Sequence, residues 1–457
     1  MASSIRVIST SKVCAANHKE PNPRIDLTPW DLQLLLLDTI QKGLVFHKPK
    51  HDDPHHENLI HHLQTSLSRT LDFFLPLAGR LATVEHEDET TSFFIDCNNT
   101  GAEFVHAIAD GVSVSDIIEQ TYVPDHIVYS FFPLNGIRNY GGTSNPLLAV
   151  QVTELVDCIF IGCTINHTVL DGTSFWHFFN SWSEISRGLD SLSKPPVLER
   201  WFLHDTDCPI LIPSFKKEQL HSKFVPPPLQ QRVFHFTAES IAKLKAKANS
   251  EIGTHKISSL QALLSHIWRS AVRIKRIDPD QETSFKIAIG VRQRLQPLHQ
   301  QYLGNAIQVG FITMKAGEVL EQGLGYVALQ MNKMIAMHTE EKFRNYLESW
   351  RENPKILTPD GVFTSNSFVT SSSPRYNVYG TDFGWGRPIA VRSGPGNKFD
   401  GKITIFPGAK QGSVDIEACL SPELLQAMGD DAEFMDILCF VEGYAVVLYC
   451  NAHLLLN

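Results

Sequence analysis

Between Cys158 and Ile165 the chain reads CIFIGCTI, and soon after that apolar run Phe175, Phe179 and Trp182 begin to recur near helical spacing. A run this short and this apolar is a buried strand, and the change of period after it marks a strand-to-helix junction. A chain built on that unit belongs to the α/β class, with sheets covered by helices. The junction itself is Asn166-His167-Thr168-Val169-Leu170-Asp171-Gly172. His167 leaves the sheet at a strand end and so faces a cleft. An imidazole has an unperturbed pKa near 6.5, so a neutral one at that point can take a proton from a hydroxyl or an amine.

The spacing alone is a weak signal, because His106-Ala107-Ile108-Ala109-Asp110-Gly111 fits the same pattern. His106 lies inside the alternating segment Glu103–Ile108, where a histidine is an ordinary strand or surface residue. His167 is favoured by a second element, Asp382-Phe383-Gly384-Trp385-Gly386, about 210 positions downstream. The two together resemble the plant BAHD family of acyl-CoA-dependent acyltransferases. Further matches lie at Phe74–Leu81 (FLPLAGRL), Ser265–Trp268 (SHIW), Arg292–Leu295 (RQRL) and Tyr302–Asn305 (YLGN), so the likeness spans the chain. It implies two similar chloramphenicol-acetyltransferase-like domains with an active-site channel between them. The N-terminal domain, 1–194, would carry the His-x-x-x-Asp motif. The C-terminal domain, 231–457, would carry Asp-Phe-Gly-Trp-Gly. The crossover between them, 195–230, holds seven prolines between Pro195 and Pro228 with little periodicity.

Length and composition agree. A chain of 457 residues exceeds what one core organises, and 43% hydrophobic with 19% charged residues is ordinary for a globular enzyme. A net charge of -9 excludes a nucleic-acid partner. The eight cysteines form no Cys-x-x-Cys pair and read as reduced thiols. The N-terminus has no apolar signal core, and the apolar tail Phe434–Cys450 is broken by Asp436 and Glu442, so neither secretion nor a membrane span is expected. Asn166-His167-Thr168 is formally a glycosylation sequon, and a glycan there would block the base. The cytoplasm is the consistent compartment and a monomer the expected state.

Along the chain, Thr28-Pro29-Trp30-Asp31 starts a helix with a capping hydroxyl and proline at its first position. Leu59, Leu63, Leu67 and Leu71 mark an amphipathic helix, and strands dominate from there to His167. In the second half, 240–247 and 258–273 read as helices, 287–291 and 306–314 as strands, and 317–338 as one long helix. Three further strands follow at 363–372, 402–406 and 413–420, and Ser421-Pro422-Glu423 opens a helix.

Acyl transfer needs one base and a site for the oxyanion. His167 is the candidate catalytic base. Asp171, one turn past the strand end, can point away from the imidazole, and the resemblance implies a salt bridge from it to Arg292. Gly172 permits a tight turn. Asp382, Gly384, Trp385 and Gly386 are expected to be architectural. Ser373 stands where many family members carry tryptophan, which leaves Thr370, Ser371 and Ser373 as candidate oxyanion or acceptor contacts. For coenzyme A, Lys256, Ser258 and Ser259 at a helix start suit phosphate groups. The stretch His47, His51, His55, His56, His61, His62 lacks ligand geometry: Pro54 interrupts it, and His61 and His62 fall on the polar side of the leucine helix, so no metal is expected.

The expected reaction moves an acyl group from acyl-CoA, a co-substrate rather than a resident cofactor, to a hydroxyl or amine of a small specialised metabolite. Two alternatives remain open: a non-catalytic coenzyme-binding relative, and a lyase using the same pocket and base. Tyr302-Leu303-Gly304-Asn305-Ala306 departs from the form associated with malonyl-transferring relatives, which disfavours malonyl donors.

Overall fold

The computed structural model describes residues 5–18, 21–50, 58–200, 209–216, 219, 227–296, 298–359 and 366–438. His51, His55, His56, the tail beyond residue 438 and parts of the 195–230 crossover lie outside the described residues.

Two six-stranded mixed sheets form the frame. In the first the order is β1 (Ile5–Val13), β6 (Ala102–Ala109), β7 (Leu148–Glu154), β8 (Cys158–Ile165), β3 (Ile40–His47) and β14 (Ala390–Ser393). In the second it is β10 (Gln230–Phe236), β16 (Val414–Leu420), β15 (Lys402–Pro407), β13 (Ser367–Thr370), β11 (Glu282–Gly290) and β12 (Ile307–Lys315). A smaller sheet joins β2 (Arg24–Asp26), β5 (Thr90–Asp96) and β4 (Arg80–Glu85). A short strand from the crossover, β9 (Leu211–Pro213), pairs with β5.

Every residue of β8 is buried, as its composition demands. The helix Leu59–Leu71 buries its leucine stripe against the helix Gly172–Ser186, whose Phe175, Phe178, Phe179 and Trp182 fill the first core. A second core lies between β10–β13, β15, β16 and the helices Ala238–Glu251, Ser259–Lys275 and Gly323–Ala336. The halves exchange pieces. Strand β14, from the second half, closes the edge of the first sheet by pairing Ala390–Ser393 with Val45–Lys42. Trp30, from the first half, is fully buried in the second core.

The expected helix at Thr28 forms with a capping box between Thr28 and Asp31. The long helix expected over 317–338 is instead two, Ala316–Glu321 and Gly323–Ala336, parted where Gly323 takes φ +82°. A left-handed residue cannot continue an α-helix, and glycine adopts it without steric cost. The described part of the strand expected over 363–372 is Ser367–Thr370. His106 sits in β6 with its Nε2 2.8 Å from the Glu154 carboxylate, an ordinary strand position. His62 is not solvated as expected: its Nε2 lies 2.7 Å from the Ser186 hydroxyl, joining two core helices.

Candidate active site

Strand β8 ends at Ile165, and the backbone that follows is clamped from both sides of His167. The His167 amide donates to Asn139 Oδ1 at 2.6 Å, and Asn305 Nδ2 donates to the His167 carbonyl at 2.6 Å. Both asparagines are fully buried. Asn305 is held in turn by the buried Asp31, which accepts from its Nδ2 at 2.9 Å and its backbone N at 3.2 Å. Asn166 donates to the Asn139 carbonyl at 2.6 Å and accepts from the Thr168 amide and hydroxyl. The ring it carries is therefore fixed at its root. His167 Nδ1 is sealed from solvent without a hydrogen bond of normal geometry, although the Asn305 amide and the residue's own carbonyl lie close. Burial lowers the His167 pKa below its ordinary value. Its own carbonyl, the Asp171 charge and Asn305 oppose that, and the Lys402 charge adds to it. The imidazole is neutral at pH 7.

Asp171 does not reach the imidazole. It caps the helix Gly172–Ser186 by accepting from Ser174 N at 3.0 Å, and it accepts from Ala306 N at 3.0 Å. Arg292 closes on it in a two-pronged pair, Nη1 to Oδ2 at 2.6 Å and Nη2 to Oδ1 at 3.0 Å, both side chains buried. The same guanidinium donates to the Tyr302 and Gly304 carbonyls and to Ser174 Oγ. Burial alone would raise the Asp171 pKa. The Arg292 charge and the hydrogen bonds outweigh it and hold the carboxyl below its usual range. Gly172 follows immediately, and a Cβ there would come within 2.7 Å of the Tyr376 hydroxyl.

The Asp382–Gly386 loop folds around its own first residue. Asp382 Oδ1 accepts from Gly384 N at 2.9 Å and Gly386 N at 3.1 Å, and both glycines have positive φ. Phe383 is fully buried, with ring centroids 4.8 Å from Trp182 and 5.7 Å from Phe46, and Trp385 stacks on it at 5.7 Å. Arg187 donates to the Asp382 carbonyl and Ser186 to that of Phe383. This loop ties the second half to the helix that Asp171 caps.

The three hydroxyls at and after the end of β13 differ in what they touch. Ser371 Oγ accepts from Lys402 Nζ at 2.6 Å, and Ser373 Oγ accepts from Arg375 N at 3.2 Å. Thr370 Oγ1 is buried and unpartnered.

Of the residues expected at the coenzyme, Ser258 caps the helix Ser259–Lys275 in a box with Gln261. Ser259 lines a cavity of about 610 Å³ together with Lys245, Pro374, Gly408 and Gly412. Lys256 is exposed, and its place beside the cavity is taken by Lys245. Lys245, Tyr376 and Asn139 escaped the sequence reading, and Asp31 entered it only as part of a helix start. Asn305 entered it only as part of a matching motif, with no task assigned.

A family model described as "Transferase family" matches residues 3–435. An uncharacterised acetyltransferase of Arabidopsis thaliana is 45% identical over 428 residues, covering 92% of this chain and 96% of that protein. The BAHD acyltransferase DCR of the same plant is 32% identical over 456 residues, covering 93% and 92%. Among solved structures, vinorine synthase superposes with a TM-score of 0.73 at 19% identity, covering 95% of this chain and 98% of that one. F. graminearum TRI101 with coenzyme A and deoxynivalenol gives 0.71 at 18%, covering 91% and 98%. At those identities the two structures speak to the fold. The chain belongs to the BAHD family of acyltransferases, enzymes that use acyl-coenzyme A as donor.

Proposed function

We propose that this chain transfers an acyl group from an acyl-CoA thioester to a hydroxyl or amine of a small specialised metabolite, with His167 as general base. The observation that carries this reading is the His167 clamp: a fixed, neutral imidazole with Nδ1 sealed, which leaves Nε2 to meet substrate. Nε2 takes the acceptor proton as the acceptor oxygen or nitrogen bonds to the thioester carbon. The tetrahedral intermediate then collapses, the carbon–sulfur bond breaks, and the imidazolium returns the proton to the departing thiolate. Such a base contributes roughly 100- to 10,000-fold. Thr370 Oγ1, buried without a partner, would donate to the oxyanion; Ser371 and Ser373 accept from Lys402 Nζ and Arg375 N but keep their own O–H protons.

Asp171 and Arg292 act in this reading as structural support, and Asp382–Gly386 as the strap between halves. The cavity at Ser259 and Lys245 would take coenzyme A, a co-substrate that comes and goes. TRI101, of like fold, holds coenzyme A together with a small-molecule acceptor, which supports two substrates meeting in one frame. The division at 195–230 belongs to the same proposal, with β14 crossing back into the first sheet. No helix among the described residues is long and apolar enough to cross a membrane. The described cysteines are free, and the sequon asparagine Asn166 is buried with its amide committed. These support a cytoplasmic enzyme, which we take to be monomeric.

The test is acceptor-dependent release of free coenzyme A across acyl-CoA and acceptor panels. His167→Ala should lower kcat about 100- to 10,000-fold while melting with the wild type. Binding of acyl-CoA without release under any pairing would refute transfer, and acceptor consumption that needs no coenzyme A would point to the lyase.

A further inference from the structure

Three lysines converge where the two sheets face each other. The register of β15 on β16 sets Lys402 opposite Cys419, Thr404 opposite Glu417 and Phe406 opposite Asp415. The alternate residues, Ile403, Ile405, Ile416 and Ala418, lie in the second core. Side chains alternate along a strand, so Lys402, Thr404, Phe406 and Glu417 share the face turned away from that core. Phe406 packs into the first core, which shows where this face looks. From the first sheet Lys42 reaches across, its Nζ 5.2 Å from the Phe406 ring centroid, and its β14 neighbour Ser393 hydrogen-bonds Glu417. Lys398 meets Glu417 Oε1 at 2.5 Å.

The charges do not balance. Lys42, Lys398 and Lys402 act on one another, and among the described residues Glu417 is the carboxylate that pairs directly with a member of this group. Burial would push Glu417 up, but Lys398 and Lys42 together bring it down to about 2, so it is ionised and already spent on Lys398. Asp125, which also feels Lys398, is driven up by burial to about 6 and is still mostly ionised at pH 7, so two carboxylates face three lysines and one positive charge is left over. Burial pulls Lys42 down to about 7 and Lys402 down to about 8, the response of buried cations short of counter-charge. The Lys402 ammonium has a neutral partner, Ser371 Oγ at 2.6 Å. Ser371 adjoins the unpartnered Thr370, and Lys402 is near enough for its charge to act on His167. Lys42 lies opposite Cys163 in β8, at the end of that strand from which His167 emerges.

We propose that Lys402 and Lys42, supported by Lys398, bind a carboxylate of the acceptor, so that the metabolite acylated here is an acid held with its nucleophilic group at His167. This rests on the acyl-transfer reading and names the acceptor class for it. The lysines supply the counter-charge that Glu417 leaves over, and binding the acid draws protons back onto them.

The experiment uses the full chain with acetyl-CoA and matched acceptor pairs, each a hydroxy or amino acid beside its methyl ester. The wild type should prefer acid over ester by about 10- to 100-fold in kcat/KM, the worth of a charge-assisted contact. Lys402→Met and Lys42→Met should erase that ratio, and Lys402→Arg should keep most of it. The KM for the acid, not for the ester, should rise from about pH 7 to 8 upward as Lys42 and Lys402 lose their protons. An acid-to-ester ratio near one in the wild type, or one unchanged in both Met variants, overturns the proposal. A lysine dependence seen only with malonyl-CoA against acetyl-CoA assigns the carboxylate to the donor and overturns the acceptor assignment. Thermal shift with malonate, against dimethyl malonate and chloride of equal ionic strength, decides the site without turnover. Stabilisation by malonate should vanish in the Met variants, whose ligand-free melting temperature should not fall, because they remove uncompensated buried charge. Equal response to malonate in wild type and variants sinks the anion site. Failure of every acceptor to release coenzyme A, with the malonate response intact, sinks the transfer reading alone.

Discussion

Replacing Asp171 with asparagine separates a structural carboxylate from a catalytic one. The native side chain accepts four hydrogen bonds, two from Arg292, one from Ser174 N and one from Ala306 N, with no exposed surface. An amide oxygen can serve only some of these, and its NH2 must face at least one donor, which costs about 1–3 kcal/mol. Arg292 keeps neutral acceptors at Ser174, Tyr302 and Gly304 but loses its counter-charge. A buried pair broken on one side typically costs about 3–5 kcal/mol, and here the two effects together reach that range. In a chain this long the loss is a fall in melting temperature of about 3–5 °C. Arg292→Met should cost a similar amount. The double variant should cost less than the sum of the singles by about 2 kcal/mol, because neither charge is then left alone. The assay is thermal and denaturant unfolding of the four proteins, with kcat per folded molecule at low temperature and its pH dependence. Activity should track the folded fraction, and the acid limb should move only toward lower pH, because the lost Asp171 charge had been raising the His167 pKa. An Asp171→Asn protein that melts with the wild type, yet loses activity, would refute the argument and return Asp171 to the imidazole.

Because burial lowers the His167 pKa, the base stays neutral further into acid than a free imidazole, so the acid limb of kcat/KM should fall below pH 6.5. A limb at or above that value denies His167 the role. The same depressed pKa means the unfolded chain binds more protons as pH falls below about 6.5, so this group lowers folded stability there. Gly172→Ala should cost about 1–3 kcal/mol, since its Cβ meets the Tyr376 hydroxyl at 2.7 Å, and Tyr376→Phe in the same chain should recover part of the melting temperature. No recovery would mean the strain lies elsewhere. Phe383→Ala should cost about 3–5 kcal/mol by emptying the space against Trp182 and Phe46, with kcat of the folded fraction within a few fold. A large kcat loss at unchanged stability would give the Asp382–Gly386 loop a direct part in catalysis.

What could be read from the chain was whatever its neighbours in sequence decide. Strand β8 has the limits its apolar run suggested, and the helix after it begins where Asp171 can cap it. The long helix expected over 317–338 failed on one residue: Gly323 sits at positive φ, a choice that hydrophobic spacing does not register. The carboxylate–guanidinium pair spans 121 positions, and a family resemblance, not a pattern, suggested it. The clamp on His167 was harder still. Asn139, Asn305 and Asp31 are polar residues that chain-local reasoning sends to turns and surfaces, and the fold buries all three around one backbone unit. Strand β14 is four residues long, and its partner β3 lies more than 300 positions earlier, so nothing local says which sheet it will close. The lysines follow from that same closure. Lys42 stands on one sheet and Lys402 on the other, each the single lysine of its strand. A single lysine in a strand reads as a solvated face, and it becomes a binding group only when a second sheet arrives to bury it. Sequence could therefore single out His167, the base of the proposed mechanism, because its own strand end delivers it. The proposed acidity of the acceptor rests on charge that no segment holds alone, lysines brought together only where the two halves meet.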